Sequence, residues 1–205
     1  MKNIYLNIFK FNKKILKKTI KFLKKNKIVG LPTETVYGLA GNAYSKIAVN
    51  KIYKLKKRPS FNPLIIHYYG INDINKDVNI TSDFIKLYKK LCPGPITFIL
   101  KKKKKSKISS LALAKLNTVA VRFPSHPVMR KILKFLPFPL AAPSANISSR
   151  ISPTNSYDVA EEFKKNIKII IDGGNSEVGI ESTVIDLTKK IKILRPGIIT
   201  KKNIK

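Results

Sequence analysis

The chain has 205 residues, 43% of them apolar, which is enough to bury a core and unlike a disordered basic tail. Its 42 Lys and Arg residues against 11 Asp and Glu give a formal net charge of +31 at pH 7, and 37 of the cations are lysines spread along the whole sequence. One cysteine, no apolar run near the ~18 residues of a membrane span and no secretory signal exclude a disulfide framework, a zinc cluster and a membrane anchor. We therefore expect a cytoplasmic protein with no membrane contact.

Apolar residues at helical spacing predict a first helix over residues 12–27, with Asn12 as its N-cap. Its lysine-rich face is compatible with contact to RNA or a membrane, but an ordinary solvated face is favoured because lysine is common throughout the chain. The next predicted elements are strands over 28–31 and 64–68 and helices over 45–56 and 82–91. The last of these helices is stopped by Pro93, Gly94 and Pro95.

The second half of the chain continues the alternation of strands and helices. A strand over 96–100 runs into a lysine-rich surface loop at 101–105, and a helix capped by Ser125 extends to about residue 135. A polar segment, residues 143–155, has no apolar periodicity, and a helix follows it over 156–165. The remaining predicted strands cover 118–122, 140–142, 167–172, 183–187 and 191–195. This pattern, closed by a hairpin, predicts one α/β domain over residues 1–205 with a mixed sheet.

The usual nucleotide-binding fingerprints are absent, since the chain has neither a P-loop nor a G-x-G-x-x-G sequence. Polar side chains are instead concentrated where predicted strands end, and ligands of α/β sheets bind at such positions. These segments are 33–35, 56–62, His67, Arg122, 144–146, 182–183 and Arg195. Lysine, arginine and hydroxyl groups without a metal cage suit a phosphate-bearing anion, because phosphoryl and nucleotidyl transfer depend mainly on positioning and charge stabilisation.

The chain has only five arginines, and three of them, Arg58, Arg122 and Arg195, lie in these segments. Where lysine is used almost everywhere, arginine indicates a place that needs a rigid bidentate donor. The other two, Arg130 and Arg150, have no predicted role. His126 and Cys92 are interpreted as structural residues.

At these residues the sequence resembles the YrdC-type threonylcarbamoyl-AMP synthases. The resemblance begins with L-P-T-E-T-V-Y-G-L at residues 31–39 and continues in order to R-P-G at 195–197, covering about residues 28–198. The motifs between them are K-x-R-P at 56–59, N-P-L at 62–64, P-G-P-I-T at 93–97, V-A-V-R-F-P at 119–124, A-P-S-A-N at 142–146, S-P-T at 152–154 and S-T-V-I-D at 182–186. The set in this order is specific, whereas each motif alone is a weak signal.

The resemblance implies a twisted mixed β-sheet with flanking helices around a basic concave cleft. It also implies the reaction of L-threonine, bicarbonate and ATP to threonylcarbamoyl-AMP and pyrophosphate, with Mg²⁺ carried by the nucleotide. Partner proteins would then transfer the threonylcarbamoyl group to tRNAs that read codons starting with A. The short form without an additional C-terminal domain is the form that the sequence resembles.

The resemblance also assigns residues. Its catalytic tetrad corresponds to Lys56, Arg58, Ser144 and Asn146, which are also ATP contacts. The other implied ATP contacts are Asn62, Thr118, Ser152 and Arg195. The implied threonine contacts are Thr35, His67, Arg122, Ala142 and Ser182, with Arg122 as the donor to the α-carboxylate. No residue is assigned to a metal.

One departure from the family pattern affects the site, because Ser149 stands where the family usually has glycine. Two other functions remain open on the sequence. The basic cleft could instead be a site for tRNA or double-stranded RNA, although RNA-reading motifs are missing. A carbamoyl-adenylate activity, as in the related domain of hydrogenase maturation proteins, is disfavoured because the zinc-finger cysteines of those proteins are absent.

Overall fold

The computed structural model describes residues 5–204 and contains ten strands and seven α-helices within that range. The strands are β1 (Ile8–Lys10), β2 (Val29–Leu31), β3 (Gly38–Asn42), β4 (Ile65–His67), β5 (Ile96–Lys101), β6 (Thr118–Arg122), β7 (Leu140–Ala141), β8 (Ile170–Asp172), β9 (Thr183–Asp186) and β10 (Lys192–Arg195). The helices are α1 (Lys13–Lys24), α2 (Lys46–Lys56), α3 (Ile71–Ile74), α4 (Ser82–Leu91), α5 (Pro127–Lys134), α6 (Ser156–Phe163) and α7 (Lys201–Ile204), with a 3₁₀ turn at Lys164–Asn166.

The strands form one mixed sheet in the order β1-β8-β2-β3-β7-β4-β6-β5-β9-β10. Four neighbouring pairs are parallel, namely β1 with β8, β8 with β2, β4 with β6, and β5 with β9. The other pairs are antiparallel, including the closing hairpin of β9 and β10. The sheet therefore places strands from both ends of the chain next to strands from its middle.

Apolar side chains alternate between the two faces of the sheet because successive residues of a strand point in opposite directions. Ile169 and Ile171 pack with α1 and α5 in one cluster, whereas Ile170 between them packs in a second, larger cluster. The larger cluster includes buried residues of α2, α4 and α6. The sheet is therefore the middle layer between two sets of helices, and the predicted α/β class is confirmed.

The predicted helix over 12–27 is confirmed as α1, and the Asn12 side chain accepts a hydrogen bond from Ile15 N at 2.9 Å. The predicted cap of α5 is wrong. His126, not Ser125, is the N-cap, because its Nδ1 accepts from Val128 N at 3.2 Å. The Ser125 amide donates instead to the Glu34 carboxylate at 3.1 Å.

Four elements were absent from the sequence prediction: β1, β3, α3 and α7. The strand β3 has the sequence G-L-A-G-N, whose glycines and lack of β-branched residues give no strand signal. Its first four residues are nevertheless buried, and the strand lies between β2 and β7. No helix within residues 5–204 has the length and apolar character needed to cross a bilayer.

Candidate functional site

A cavity opens at one edge of the sheet, and its empty space, counted together with the solvent at its open mouth, is about 500 Å³. It lies where β4 and β6 end side by side, since His67 is paired in register with Arg122. The antiparallel strand β5 begins at the same edge, where Thr97 is paired with Arg122. Eight predicted site residues line the cavity: Thr35, Arg58, His67, Arg122, Ala142, Ser144, Ser182 and Arg195.

Arg122 is buried at the inner end of the cavity and is partly bound by the protein itself. One of its terminal nitrogens donates to the Glu34 carboxylate at 2.8 Å and to the Thr35 hydroxyl at 2.7 Å. Its Nε is buried without a hydrogen-bond partner among the described residues. Because a guanidinium has five N–H donors, Arg122 is held in place and keeps donors for a ligand.

His67 lies next to Arg122 and is only 1% exposed. Burial, and then the charge of Arg122, lower the pKa of the imidazole to about 3. His67 is therefore neutral at physiological pH, and its buried Nδ1 has no partner among the described residues. A neutral imidazole can exchange one hydrogen bond with a bound ligand but is too weakly basic to hold a proton.

The inner part of the cavity is the buried end around Arg122 and His67, and the outer part is the more exposed end around Arg58. Ser182 and Arg195 connect these two parts. The Ser182 hydroxyl lies 2.8 Å from that of Thr97, and Arg195 donates to the Ser182 carbonyl at 3.0 Å and to its hydroxyl at 3.2 Å. Gly197 allows the backbone to pass close to Thr183, the residue after Ser182. A Cβ at Gly197 would lie only 2.6 Å from Thr183 N.

Arg195 also forms an ion pair with Glu181, which lines the cavity and accepts a hydrogen bond from the Ser152 hydroxyl at 3.3 Å. Burial lowers the pKa of the Arg195 guanidinium, and the Glu181 carboxylate opposes that shift. Ser152 is thereby linked to the cavity although it does not line it.

Lys56 joins the two halves of the predicted tetrad. Its ammonium is buried and donates to the carbonyls of Ser144 and Asn146, each at 2.5 Å, and to Asn146 Oδ1 at 3.3 Å. These acceptors match the three donors of an ammonium. Burial, and then the charge of Arg58, lower the pKa of Lys56 to about 8. In this structure Lys56 positions the 144–146 segment and does not itself line the cavity.

Arg58 lines the cavity from the loop after α2. It donates to Asn62 Oδ1 at 2.6 Å and to the carbonyls of Asn62 and Pro63 at 3.0 and 2.9 Å. Asn62 therefore supports Arg58 from outside the cavity wall. Burial lowers the pKa of the Arg58 guanidinium, but arginine retains its charge at physiological pH.

Asn146 and Thr118 are less directly placed. The Asn146 amide nitrogen donates to the carbonyls of Ile147 and Arg150, and the residue faces an adjoining pocket. Thr118 begins β6, four residues before Arg122, and does not line the cavity. The parallel pairing of β4 and β6, with Ile65 opposite Ala120, leaves Thr118 toward the side of Pro63.

The backbone conformation at Ser149 explains why the family usually has glycine at this position. Its φ is 72°, in the left-handed region that glycine adopts without steric cost. The serine at this position therefore keeps the loop conformation at the cost of backbone strain.

Two acidic residues of the site were given no role by the sequence analysis: Glu34, which lies within the polar segment 33–35, and Glu181. Each precedes a predicted threonine contact by one position, and each pairs with a predicted arginine. A carboxylate next to hydroxyl residues was the available signal. Within residues 5–204, no cluster of three or more His, Cys, Asp or Glu side chains could hold a metal ion.

The fold and the site define an α/β protein with a mixed sheet and an arginine-lined ligand cavity at its edge. The family model named Sua5/YciO/YrdC, described as telomere recombination, matches residues 21–197. The chain belongs to this family, as the sequence motifs indicated.

Curated relatives carry a common name. Proteins named threonylcarbamoyl-AMP synthase from Pyrococcus abyssi and Bacillus subtilis are 44% and 43% identical over 86% and 89% of this chain. These matches cover 52% and 53% of the two relatives, so the chain spans about half their length. A protein of Methanocaldococcus jannaschii, 35% identical, matches over 97% of this chain and 95% of its own length.

Solved structures agree with the sequence matches. Sua5 of P. abyssi in complex with L-threonine superposes with a TM-score of 0.89 at 40% identity, covering 93% of this chain and 57% of that one. YciO of E. coli superposes with a TM-score of 0.85 over 97% of this chain and 98% of its own, and at 21% identity it supports the fold alone.

Proposed function

We propose that the chain is an L-threonylcarbamoyladenylate synthase, which converts L-threonine, bicarbonate and ATP to threonylcarbamoyl-AMP and pyrophosphate. The observation that carries the proposal is that one cavity holds two groups of donors. Arg122, His67 and Ser182 suit a small amino acid, whereas Arg58 and Arg195 suit phosphates. The relative from P. abyssi that binds L-threonine shares 40% of its residues with this chain.

The inner part of the cavity would hold threonine. Arg122 is oriented by Glu34 and Thr35 and retains donors for the α-carboxylate. His67 is neutral and adds no positive charge beside the substrate's amine. The Ala142 side chain gives the cavity a small apolar wall, which suits the methyl group of threonine.

The reaction then proceeds in two steps. The threonine amine gives up a proton and attacks the carbon of bicarbonate or CO₂; from bicarbonate, the N-carboxylated threonine forms with loss of water. A carboxylate oxygen of this species next attacks the α-phosphorus of ATP, a P–O bond forms, and the bond to pyrophosphate breaks. His67 is too weakly basic to take up the amine proton at physiological pH.

The outer part of the cavity would stabilise the charge that builds up on the phosphates. Arg58 and Arg195 line it with fixed guanidinium groups, and the Ser144 segment is held in place by Lys56. Preorganised donors of this kind typically contribute about 10²–10³ in rate each. Mg²⁺ enters with ATP in this proposal, held mainly by phosphate oxygens and water.

The wider context stays a prediction. It comprises transfer proteins that pass the product to tRNA, possible contact with tRNA or double-stranded RNA, a cytoplasmic location, a basic concave cleft, and one domain over residues 1–205. Residues 1–4 and 205 of that domain lie outside the described residues.

The test is an assay of the purified chain with threonine, bicarbonate and Mg-ATP in the absence of RNA. We expect pyrophosphate and an adenylate of the mass of threonylcarbamoyl-AMP, and both should require threonine and bicarbonate. Tight RNA binding with a steep salt dependence and no pyrophosphate would instead favour the RNA-binding function. Adenylate formation from carbamoyl phosphate without threonine would favour the carbamoyl-adenylate activity.

A further inference from the structure

Glu181 places a carboxylate inside the proposed nucleotide part of the cavity. It pairs with Arg195 and accepts a hydrogen bond from Ser152, and both of these residues are predicted ATP contacts. A guanidinium and a hydroxyl donor are the groups with which proteins commonly bind a phosphate oxygen. The Glu181 carboxylate thus makes the contacts that a phosphate would make.

The backbone that carries Glu181 is anchored to another part of the chain, whereas its side chain is held only by its contacts with Arg195 and Ser152. Residues 173–182 form the loop between β8 and β9, and Val178 N and Gly179 N donate to the carbonyls of Glu34 and Thr35 at 2.9 and 3.0 Å. The Glu181 side chain is 37% exposed. It can therefore turn toward solvent while the loop remains in place.

The charge of Glu181 acts on all three cations near this part of the cavity. The carboxylate raises the pKa of Lys56, Arg58 and Arg195 against the lowering effect of burial. Without a nearby anion, these three positive charges would repel one another in the ligand-free cavity and destabilise the folded protein. Glu181 supplies the missing negative charge.

We propose that Glu181 is an internal anion that occupies Arg195 in the ligand-free protein and is displaced when a triphosphate or pyrophosphate binds. The proposal rests on the proposed function for the identity of the ligand. It also assigns Glu181 a part in product release, because the carboxylate competes with pyrophosphate for Arg195 and pairs with it again as pyrophosphate leaves.

The test compares the wild-type chain with Glu181→Gln by calorimetric titration with inorganic pyrophosphate and with Mg-ATP at fixed ionic strength. Glu177→Gln is the matched control, because it removes the same charge from an exposed residue of the same loop. Among the described residues, Glu177 forms no ion pair with Arg58 or Arg195. Thermal unfolding of all three proteins checks that each is folded.

We expect pyrophosphate and ATP to bind about two- to fivefold more tightly to Glu181→Gln than to the wild type, the range set by a half-exposed ion pair. Threonine affinity should not change, and Glu177→Gln should bind like the wild type. In turnover, Glu181→Gln should be inhibited by lower pyrophosphate concentrations. A merely structural role for Glu181 would not tighten binding.

Unchanged or weaker pyrophosphate binding by Glu181→Gln would overturn the proposal, as would an equal gain in Glu177→Gln, which would show a general effect of charge. A failure of the proposed function would be seen in a separate measurement: the wild type would form no adenylate from threonine. The ratio of the pyrophosphate affinities of Glu181→Gln and the wild type would still test the role of Glu181.

Discussion

The buried ammonium of Lys56 offers a direct test of how the site is held together. Replacing it by methionine keeps a long side chain but removes all three N–H donors. The carbonyls of Ser144 and Asn146 and the Asn146 Oδ1 then lose a common partner. We expect the Lys56→Met variant to be clearly less stable than the wild type.

The magnitude follows from the contacts. A buried polar group left without a partner costs about 1–3 kcal/mol, and three acceptors are affected. Some of them will be rehydrated, and an apolar side chain avoids the cost of burying a charge, which is several kcal/mol for an ion. We therefore expect a net loss of about 3 kcal/mol, which lowers Tm by about 6–12 °C in a chain of this length.

Urea unfolding at pH 7 measures this difference, and Lys57→Met is the matched control. Lys57 is the next residue along the chain and is exposed. Its replacement should change the free energy of unfolding by no more than about 0.5 kcal/mol. If the two variants are equally stable, the contacts of Lys56 do not hold the 144–146 segment and the reasoning is refuted.

Two further predictions concern the inner part of the cavity. Arg122→Lys keeps the charge but loses the bidentate donor, so KM for threonine should rise about 10–100-fold with little change in the affinity for ATP, whereas Arg150→Lys on the exposed surface should behave like the wild type. A parallel loss of ATP affinity would contradict this placement of threonine. The pKa of His67 is about 3 in the folded protein and near 6.5 in the unfolded chain. Between these pH values the unfolded chain binds a proton that the folded protein does not, so the free energy of unfolding falls as the pH is lowered. From pH 7 to pH 5 this contribution is about 2 kcal/mol, and His67→Gln should lose that much less in urea unfolding; equal losses in both proteins would show that His67 is not buried as a neutral group.

Regular elements with strong periodicity could be predicted from the sequence. The helix α1 and its Asn12 cap are an example, because apolar spacing and capping are local properties. The strand β3 could not be predicted in the same way. Its glycines form a strand only because β2 and β7 lie on either side of it, and that pairing is not visible in a single sequence.

The site shows the same limit. Arg122 and Ser182 were found by their motifs, but the pairing of Glu34 and Glu181 with the arginines was not. Glu34 and Arg122 are 88 positions apart, so their ion pair depends on the sheet order and not on sequence spacing. The resemblance assigned Lys56 to ATP, and in the structure its ammonium contacts two backbone carbonyls and one side-chain oxygen of residues 88 and 90 positions away.

The anchoring of the 173–182 loop on residues 33–35 has a consequence for biosynthesis. The Ser176 hydroxyl donates to the Thr33 carbonyl across 143 positions, so the early part of the cavity wall exists for some time without its counterpart. At a translation rate of about 5–20 residues per second, that interval is roughly 7–30 s. A nascent chain therefore has no complete pocket, and the capacity to bind a ligand arises only when late strands join the sheet.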